Sequence, residues 1–541
     1  MLIILLTAIF LLPVFSGWGK ISEKIFGEIQ TISGKLISGI FSISLLWAVV
    51  SFFSGLNVFI EFLTVLIGIF SFFYFKIYQQ FRKFLAENRK LFLPFSLVIG
   101  FAGSFFPFIL DHFGYYIPTI KWISQFGLTK GISNLDLLLG QMSFWHIFQA
   151  GFSHFSDSFL RMNSIILIVY LLYIFEKKSW LHLIFLPVLF LFSQSPSPDL
   201  PVVIFSLIIL NEILSGNRNF SFLFAVSALV FAIKPTMIWL PIFVFLHGIF
   251  ISKTNLKFLI LGIFVLIIFF IKNLWCFGFP VFPVQFGDVG ISWKPNPELL
   301  KISSEIAIEK TFDSQFPYSE IQHFSTFDYI KNWIFLKGIK SKINILFLIL
   351  LLVFLIFTLI KKNKTITILC ISIFVKSILV LAFSAQYRFF IDVFFVIVFV
   401  MFYQKISRNQ MTICFSVFSI FFLSFLSFPE FVKNIFPSFK LGSFLSGFYK
   451  EQLFKPLEYK WEKHKTYQIG NLKFNVVKDY PFSFDVPIPA ISPEFLQEDL
   501  DAGIFPQQNS EHIKNGFHWR KMNDEEKQKL KNILKELHWE E

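Results

Sequence analysis

Charge is scarce in this sequence of 541 residues: Asp, Glu, Lys and Arg together make up 15%, against 55% hydrophobic residues. That balance, with a mean hydropathy of +0.66, excludes an ordinary water-soluble domain as the body of the protein and points to a polytopic membrane protein. Cysteine is rarer still. Cys276, Cys370 and Cys414 lie in or beside apolar runs with no paired spacing, which argues against a disulfide or metal knot and for structural roles. No GxxxxGK(S/T) phosphate loop is present, which disfavours an ATP-driven transporter subunit. There is no HExxH, and His112, His146, His154, His247 and His323 lack close ligand spacing, so a metallopeptidase is disfavoured. Nothing resembles the GxSxG elbow of a hydrolase, and no internal repeat is visible. Phe is abundant, at 81 residues. It serves as lipid-facing filler as well as Leu does and carries no functional message.

With about 20 apolar residues needed to cross a bilayer, the apolar runs predict about fourteen spans, give or take two. They fall near 1–17, 36–54, 57–75, 91–110, 158–175, 181–195, 199–214, 219–235, 236–252, 257–275, 343–361, 366–384, 388–404 and 410–428. The first run has no basic residue before it and no clear cleavage site, so it reads as a retained span rather than a signal peptide. The net charge of +13 is distributed as short Lys and Arg clusters between the spans, a topological signal rather than a nucleic-acid surface. Assigning KIYQQFRKFLAENRK, FEKKSW, SGNRN, SKTNLK, KKNK and QKISRN to the cytoplasm puts the loop after Asp111, the Asp199 turn, the 276–342 loop, the Arg388 turn and the C-terminus outside.

The fold class expected is therefore an all-α polytopic membrane protein of about 12–14 transmembrane helices, with outside interfacial helices and a small C-terminal α+β region. Its parts are N-terminal helices (1–90), a transmembrane core (91–428) with outside loops at 111–157 and 276–342, and a C-terminal extracytoplasmic domain (429–541). In that last part, KWEKHKTYQIGNLKFNVVKDYPFSFDVPIPAISP reads as short strands and Pro-rich turns. MNDEEKQKLKNILKELH reads as an amphipathic helix capped by Asn523 or Asp524.

The candidate chemistry sits at the outside ends. Asp111 closes the apolar run that begins near Leu91; alone it is compatible with a mere topological boundary. His112, Tyr115, Tyr116, Lys121 and Trp122 follow it, as a binding platform or as an interfacial aromatic belt. The stretch from Tyr115 to Asn134 has the pattern of a helix lying on the membrane, with turns at Gly127, Gly131 and Asn134. Asp199, in SPSPDLP, reads as a helix N-cap, a role compatible with catalysis. Lys272 and Asn273 end a span, and Asp288, Trp293 and Lys294 follow in the same outside loop. Lys234, Lys272 and Arg388 run against the positive-inside bias; each alone is explained by snorkelling, and the three together suggest a bound anion such as a lipid phosphate. Asp392, one helical turn after Arg388, is its expected ion-pair partner.

In their order, DHFGYYIPTIKW, SPSPDLP, IKP (Ile233 to Pro235), KNLWCFGFPVFP and DVGISWKP resemble the GT-C superfamily of multi-spanning glycosyltransferases. More closely, they are similar to an uncharacterised bacterial integral-membrane family thought to be GT-C-like. The resemblance covers roughly residues 90–430 and departs from the simplest plan in placing about three spans before the Asp111 loop. It implies an inner-membrane enzyme moving a sugar, with inversion, from a polyprenyl-phosphate carrier to a glycan or lipid acceptor outside the cytoplasm. Asp111, with Asp199, would be catalytic, Asp111 as general base. His112, Tyr115, Tyr116, Lys234, Lys272, Asn273, Asp288, Trp293, Lys294 and Arg388 would bind substrate. The DH doublet is not a paired-acid metal pattern, so no metal is assigned, although some GT-C enzymes use a divalent ion. No other cofactor is expected; the partners are membrane lipids and the lipid-linked sugar, with no nucleic acid. A polymerase or ligase of lipid-linked glycans, a flippase, and a non-catalytic scaffold are the alternatives.

Overall fold

In the computed structural model the protein is mostly helical, with two small hairpins near the C-terminus; residues 1–435, 444–461, 463–478 and 480–537 are described. Among the described residues, six helices are long and apolar enough to cross a membrane: Leu2–Phe26, Ile32–Val50, Leu256–Cys276, Ile339–Lys361, Lys364–Phe383 and Arg408–Ser427. Val58–Tyr74 and Tyr78–Ala102, bent by 75° at their junction, make a seventh if taken as one span. This is fewer than the fourteen runs in the sequence, because several runs form short helices. Phe220–Ile233, Pro235–Phe250 and Ile391–Phe402 are apolar but only 10–17 residues long. The expected span at 181–195 is broken around Pro187 into the short pieces Trp180–Ile184, Leu186–Leu189 and Phe190–Phe192.

The expected span at 91–110 is shifted. Its helix starts at Tyr78, takes in the charged QQFRKFLAENRK, and stops at Ala102, so Asp111 stands nine residues beyond it. Gly103 permits this exit, since a Cβ there would collide with the Ser164 side chain.

The helices Met162–Lys177 and Asp199–Leu214 are buried along almost their whole length and form the centre of the molecule. Each has two chemically different ends. At one end, Glu176 accepts hydrogen bonds from the N–H groups of Ile32 and Ser33 at 2.8 and 2.9 Å, and Glu212 pairs with Lys177 at 2.8 Å. A cavity of about 270 Å³ lies here, lined by Glu28, Thr31, Tyr173, Lys177, Glu212 and Asn219 among others. Much of its polar lining is internally paired: Tyr173 and Asn217 both donate to Glu212. The opposite end begins at Asp199, about 24 Å away for a 16-residue helix.

The C-terminal region folds onto that opposite end. Strands β1 (His464–Ile469) and β2 (Leu472–Val477) pair antiparallel, as do β3 (Ile504–Gln508) and β4 (Phe517–Lys521). The expected terminal helix is Asp524–Glu536, closed at its start by a capping box between Asn523 and Glu526; the expectation extended to His538, outside the described residues.

Candidate functional site

The chain reaches Asp111 through Pro107 and then makes one π-helical turn, His112–Tyr116, before the helix Ile117–Phe126. Pro118 suits the first turn of that helix, where its missing N–H costs nothing. The expected interfacial helix from Tyr115 to Asn134 is therefore only ten residues long. It stops at Gly127, whose φ of +74° a side chain would resist, and a second left-handed glycine, Gly131, turns the chain again. This helix is also covered rather than spread on a surface. Trp122 packs edge-on against Phe517, Lys121 pairs with Asp485 at 3.0 Å, and the Phe484 N–H bonds the Phe113 carbonyl at 3.0 Å.

Asp111 meets Arg388: its Oδ2 accepts from Nη1 at 2.9 Å. The Arg388 carbonyl in turn accepts from Lys234 Nζ at 3.0 Å, and Lys234 is ion-paired with Asp199. Four residues far apart in sequence thus form one chain of contacts, Asp111 to Arg388 to Lys234 to Asp199. Each is presented by a helix interruption. Lys234 has an extended backbone between Phe220–Ile233 and the turn Pro235–Met237, and Arg388 lies in the turn Tyr387–Phe389.

Asp199 is not the N-cap that the sequence suggested. It is the first helical residue, after Pro198; its backbone N–H bonds Ser197 Oγ at 3.3 Å while its carboxylate faces Lys234. The cation drew the side chain away from the helix's orphan amides. The preceding SPSP loop is held by Asn163, whose amide nitrogen donates to the carbonyls of Phe192, Ser195 and Ser197 at 2.9, 2.7 and 2.9 Å. Asn163 Oδ1 accepts from Trp145 Nε1 at 2.9 Å, which fixes the orientation of the amide. The loop then returns contacts to the Asp111 turn, through Ser195 to His112 Nδ1 at 3.1 Å and through Ser197 to the Tyr116 hydroxyl.

A further ion pair lies deeper. Asp392 pairs with Lys376 and accepts from Trp239 Nε1 at 2.8 Å, so it does not pair with Arg388 as helical spacing suggested. The interhelical partner is completely buried and thus the stronger claimant for a buried carboxylate. Three carboxylates and three cations are therefore matched at this end of the molecule.

Burial keeps the neighbouring groups neutral. It lowers the His112 pKa well below the usual imidazole value, with Arg161 adding to the effect, and raises both Tyr115 and Tyr116, with Asp111 contributing to each. His146 stacks at an angle on Tyr116, and burial drives its pKa down to about 3, helped by Lys272 and opposed by the Pro196 backbone. At pH 7 the site thus offers phenol and imidazole groups as uncharged hydrogen-bond partners around fixed ion pairs.

The other predicted residues lie elsewhere. Lys272 is buried and donates to the Gln141 carbonyl at 2.6 Å; it is near His146 but makes no ion pair among the described residues. Asn273 donates to the Pro280 carbonyl at 2.7 Å and shapes the exit from its helix. Trp293 braces that exit by donating to the carbonyls of Leu274 and Trp275, each at 3.0 Å. Asp288 and Lys294 form an exposed pair at 2.5 Å, and the Lys294 hydrogen bond holds the Asp288 carboxyl below the usual carboxylate range. No contact joins either of these to Asp111 or Arg388 among the described residues.

Sequence reasoning passed over Asn163, Ser195, Ser197, Trp239, Lys376 and Asp392 as parts of the site. Lys376 had a usable signal, an ionisable residue inside an apolar run. The Asn and Ser residues had none, because their importance comes from the loop they hold. Among the described residues, no group of three or more His, Cys, Asp and Glu side chains is placed to hold a metal ion.

A family model described as a domain of unknown function (DUF8201) matches residues 1–395. The matched region contains all three ion pairs and stops before the C-terminal hairpins. No curated protein and no solved structure matches the chain.

Proposed function

We propose that this chain, which belongs to that family of unknown function over residues 1–395, is an inner-membrane glycosyltransferase of about twelve spans, counting the bent pair, the three short apolar helices and the two buried central helices. It transfers a sugar from a polyprenyl-phosphate carrier to a glycan or lipid acceptor on the extracytoplasmic face. The observation that carries the reading is the linked set Asp111, Arg388, Lys234 and Asp199 at one end of the helices, opposite the basic FEKKSW and SGNRN loops. A carboxylate beside cations is what transfer from a phosphate carrier requires. Asp111 takes the proton of the acceptor hydroxyl as its oxygen attacks the anomeric carbon. The bond from that carbon to the phosphate oxygen breaks with its electron pair, and the departing phosphate is stabilised by Arg388 and Lys234. Asp199 aims Lys234 through their ion pair. The GT-C resemblance supports the same assignment, and fold analogy alone would not.

The test is transfer by detergent-purified protein from a panel of polyprenyl-phosphate sugars, with free polyprenyl phosphate followed by mass spectrometry. Wild type releases carrier and Asp111→Asn releases none above background. Carrier that is bound by both proteins and cleaved by neither would replace the transferase with a flippase or scaffold.

A further inference from the structure

The three ion pairs at the site are not equivalent. Lys376 and Asp392 side chains are 0% and 5% exposed, Lys234 and Asp199 are 11% and 18%, and Arg388 and Asp111 are 45% and 31%. Exposure therefore rises stepwise toward Asp111, and the outermost pair is the one that a ligand meets. It is also the least committed. Asp111 holds Arg388 through a single N–H, and the other guanidinium donors have no hydrogen-bond partner among the described residues. The Arg388 backbone, by contrast, is anchored by Lys234, and its guanidinium lies 5.3 Å from the Phe389 ring. The residue has a fixed base and an open fork.

We propose that Asp111 and Arg388 form an exchangeable latch: the phosphate group of a phosphate-bearing ligand displaces the Asp111 carboxylate from the Arg388 guanidinium, so that binding of the ligand releases the carboxylate. This rests on the phosphate-carrier reading and adds an order of events to it. The donor's phosphodiester carries two non-bridging acceptor oxygens, which match two N–H groups of the arginine fork, whereas Asp111 engages one. The exchange costs little at a half-exposed pair. At the buried Lys376–Asp392 pair the same exchange would strand a desolvated carboxylate, so that pair stays closed. While latched, the Asp111 Oδ2 is occupied by the Arg388 N–H and is closed to an acceptor hydroxyl. Once phosphate occupies Arg388, the carboxylate is free to take the acceptor proton. Donor binding thus precedes and permits deprotonation.

The latch is tested by equilibrium binding to the full-length purified protein, without any need for turnover. Farnesyl phosphate is the probe, with inorganic phosphate in parallel. If Asp111 competes with the ligand, Asp111→Asn tightens farnesyl phosphate binding by up to about fivefold, Arg388→Gln weakens it, and Asp111→Asn has no effect in the Arg388→Gln background. Arg388→Lys replaces Arg388→Gln should the latter not yield monodisperse protein. Tightening of equal size in both backgrounds would reduce the effect to a general field and overturn the latch, as would unchanged or weaker binding by Asp111→Asn. The same cycle with inorganic phosphate, and no gain from the farnesyl chain, would keep the latch and assign its ligand as a free phosphate. A positive cycle in a protein that never releases carrier would remove the transferase and leave the latch. Release that depends on Asp111 without this coupling would do the reverse.

Discussion

Lys376 is fully buried, and its ammonium group is satisfied by Asp392, which also takes the Trp239 indole N–H. Removing one partner of such a pair is costly because the other charge stays buried. Lys376→Met is expected to destabilise the protein by about 3–5 kcal/mol, whereas Lys376→Met combined with Asp392→Leu recovers part of the loss, the Trp239 N–H being left without its acceptor. Denaturant or thermal unfolding in detergent measures both, and equal stability of the two variants would refute the coupling. Asp111 and Arg388 are the contrasting case, since a pair this exposed adds about 0–1 kcal/mol. At this scale the sequence was informative about residue types and silent about pairings. Asp111, Asp199, Lys234 and Arg388 stood out as charges at apolar boundaries. That Arg388 reaches Asp111, 277 positions away, rather than Asp392 four positions away depends on which helices are neighbours.

The short helix Pro493–Asp501 carries the clearest pH response. Its Asp499 is buried, and its Phe495 packs against an apolar group containing Leu137, Phe277, Phe279 and Leu300. Asp136, from the loop after the Asp111 turn, is buried against the same helix. Glu494, Glu498 and Asp501 also face this region, with the Lys310 cation acting against the rise at Glu498. Burial raises Asp136 to about 7 despite the Leu138 and Leu139 amides. It raises Glu498 to about 8, with Glu494 and Asp136 adding to the effect, and raises Asp499 as well. Carboxyls whose folded pKa exceeds the unfolded value bind more protons when folded, so stability is highest at low pH and falls as pH rises. The loss runs from about pH 4 to about pH 8. Hydrogen exchange over residues 493–501 should show weaker protection at pH 8.5 than at pH 5.5, and the opposite trend would refute the assignment. Elements were legible where local chemistry decides them, as in the Asn523 capping box. The start of Tyr78–Ala102 was hidden because its first half is charged, and Pro187 broke a run that hydropathy alone joins.

Over the whole molecule, the two ends of the helix Asp199–Leu214 carry different chemistry, with the ion-pair chain at Asp199 and the Glu212–Lys177 network at the far end. The proposed topology puts the first outside and the second in the cytoplasm. Single cysteines introduced at the exposed positions Val289, in the 276–342 loop, and Lys362 should react with impermeant reagents from opposite sides of the membrane. Labelling of both from one side would sink the arrangement. The mostly helical, apolar class follows from composition, which acts on the chain as a whole. The number of long helices does not, since an apolar run lined by protein on all sides has no need to match a bilayer's thickness.

Arg161 adds a dimension of time to this architecture. Its guanidinium donates to the carbonyls of Gly103, Phe159 and Leu457, the last 296 positions further on. At roughly 5–20 residues per second, a ribosome needs about 15–60 s to make that stretch. Throughout that interval the growing chain holds a guanidinium whose final acceptor has not been synthesised. The seam where Leu457 closes over Arg161 is therefore completed late in synthesis, and quality-control proteases have a defined window in which to find it open.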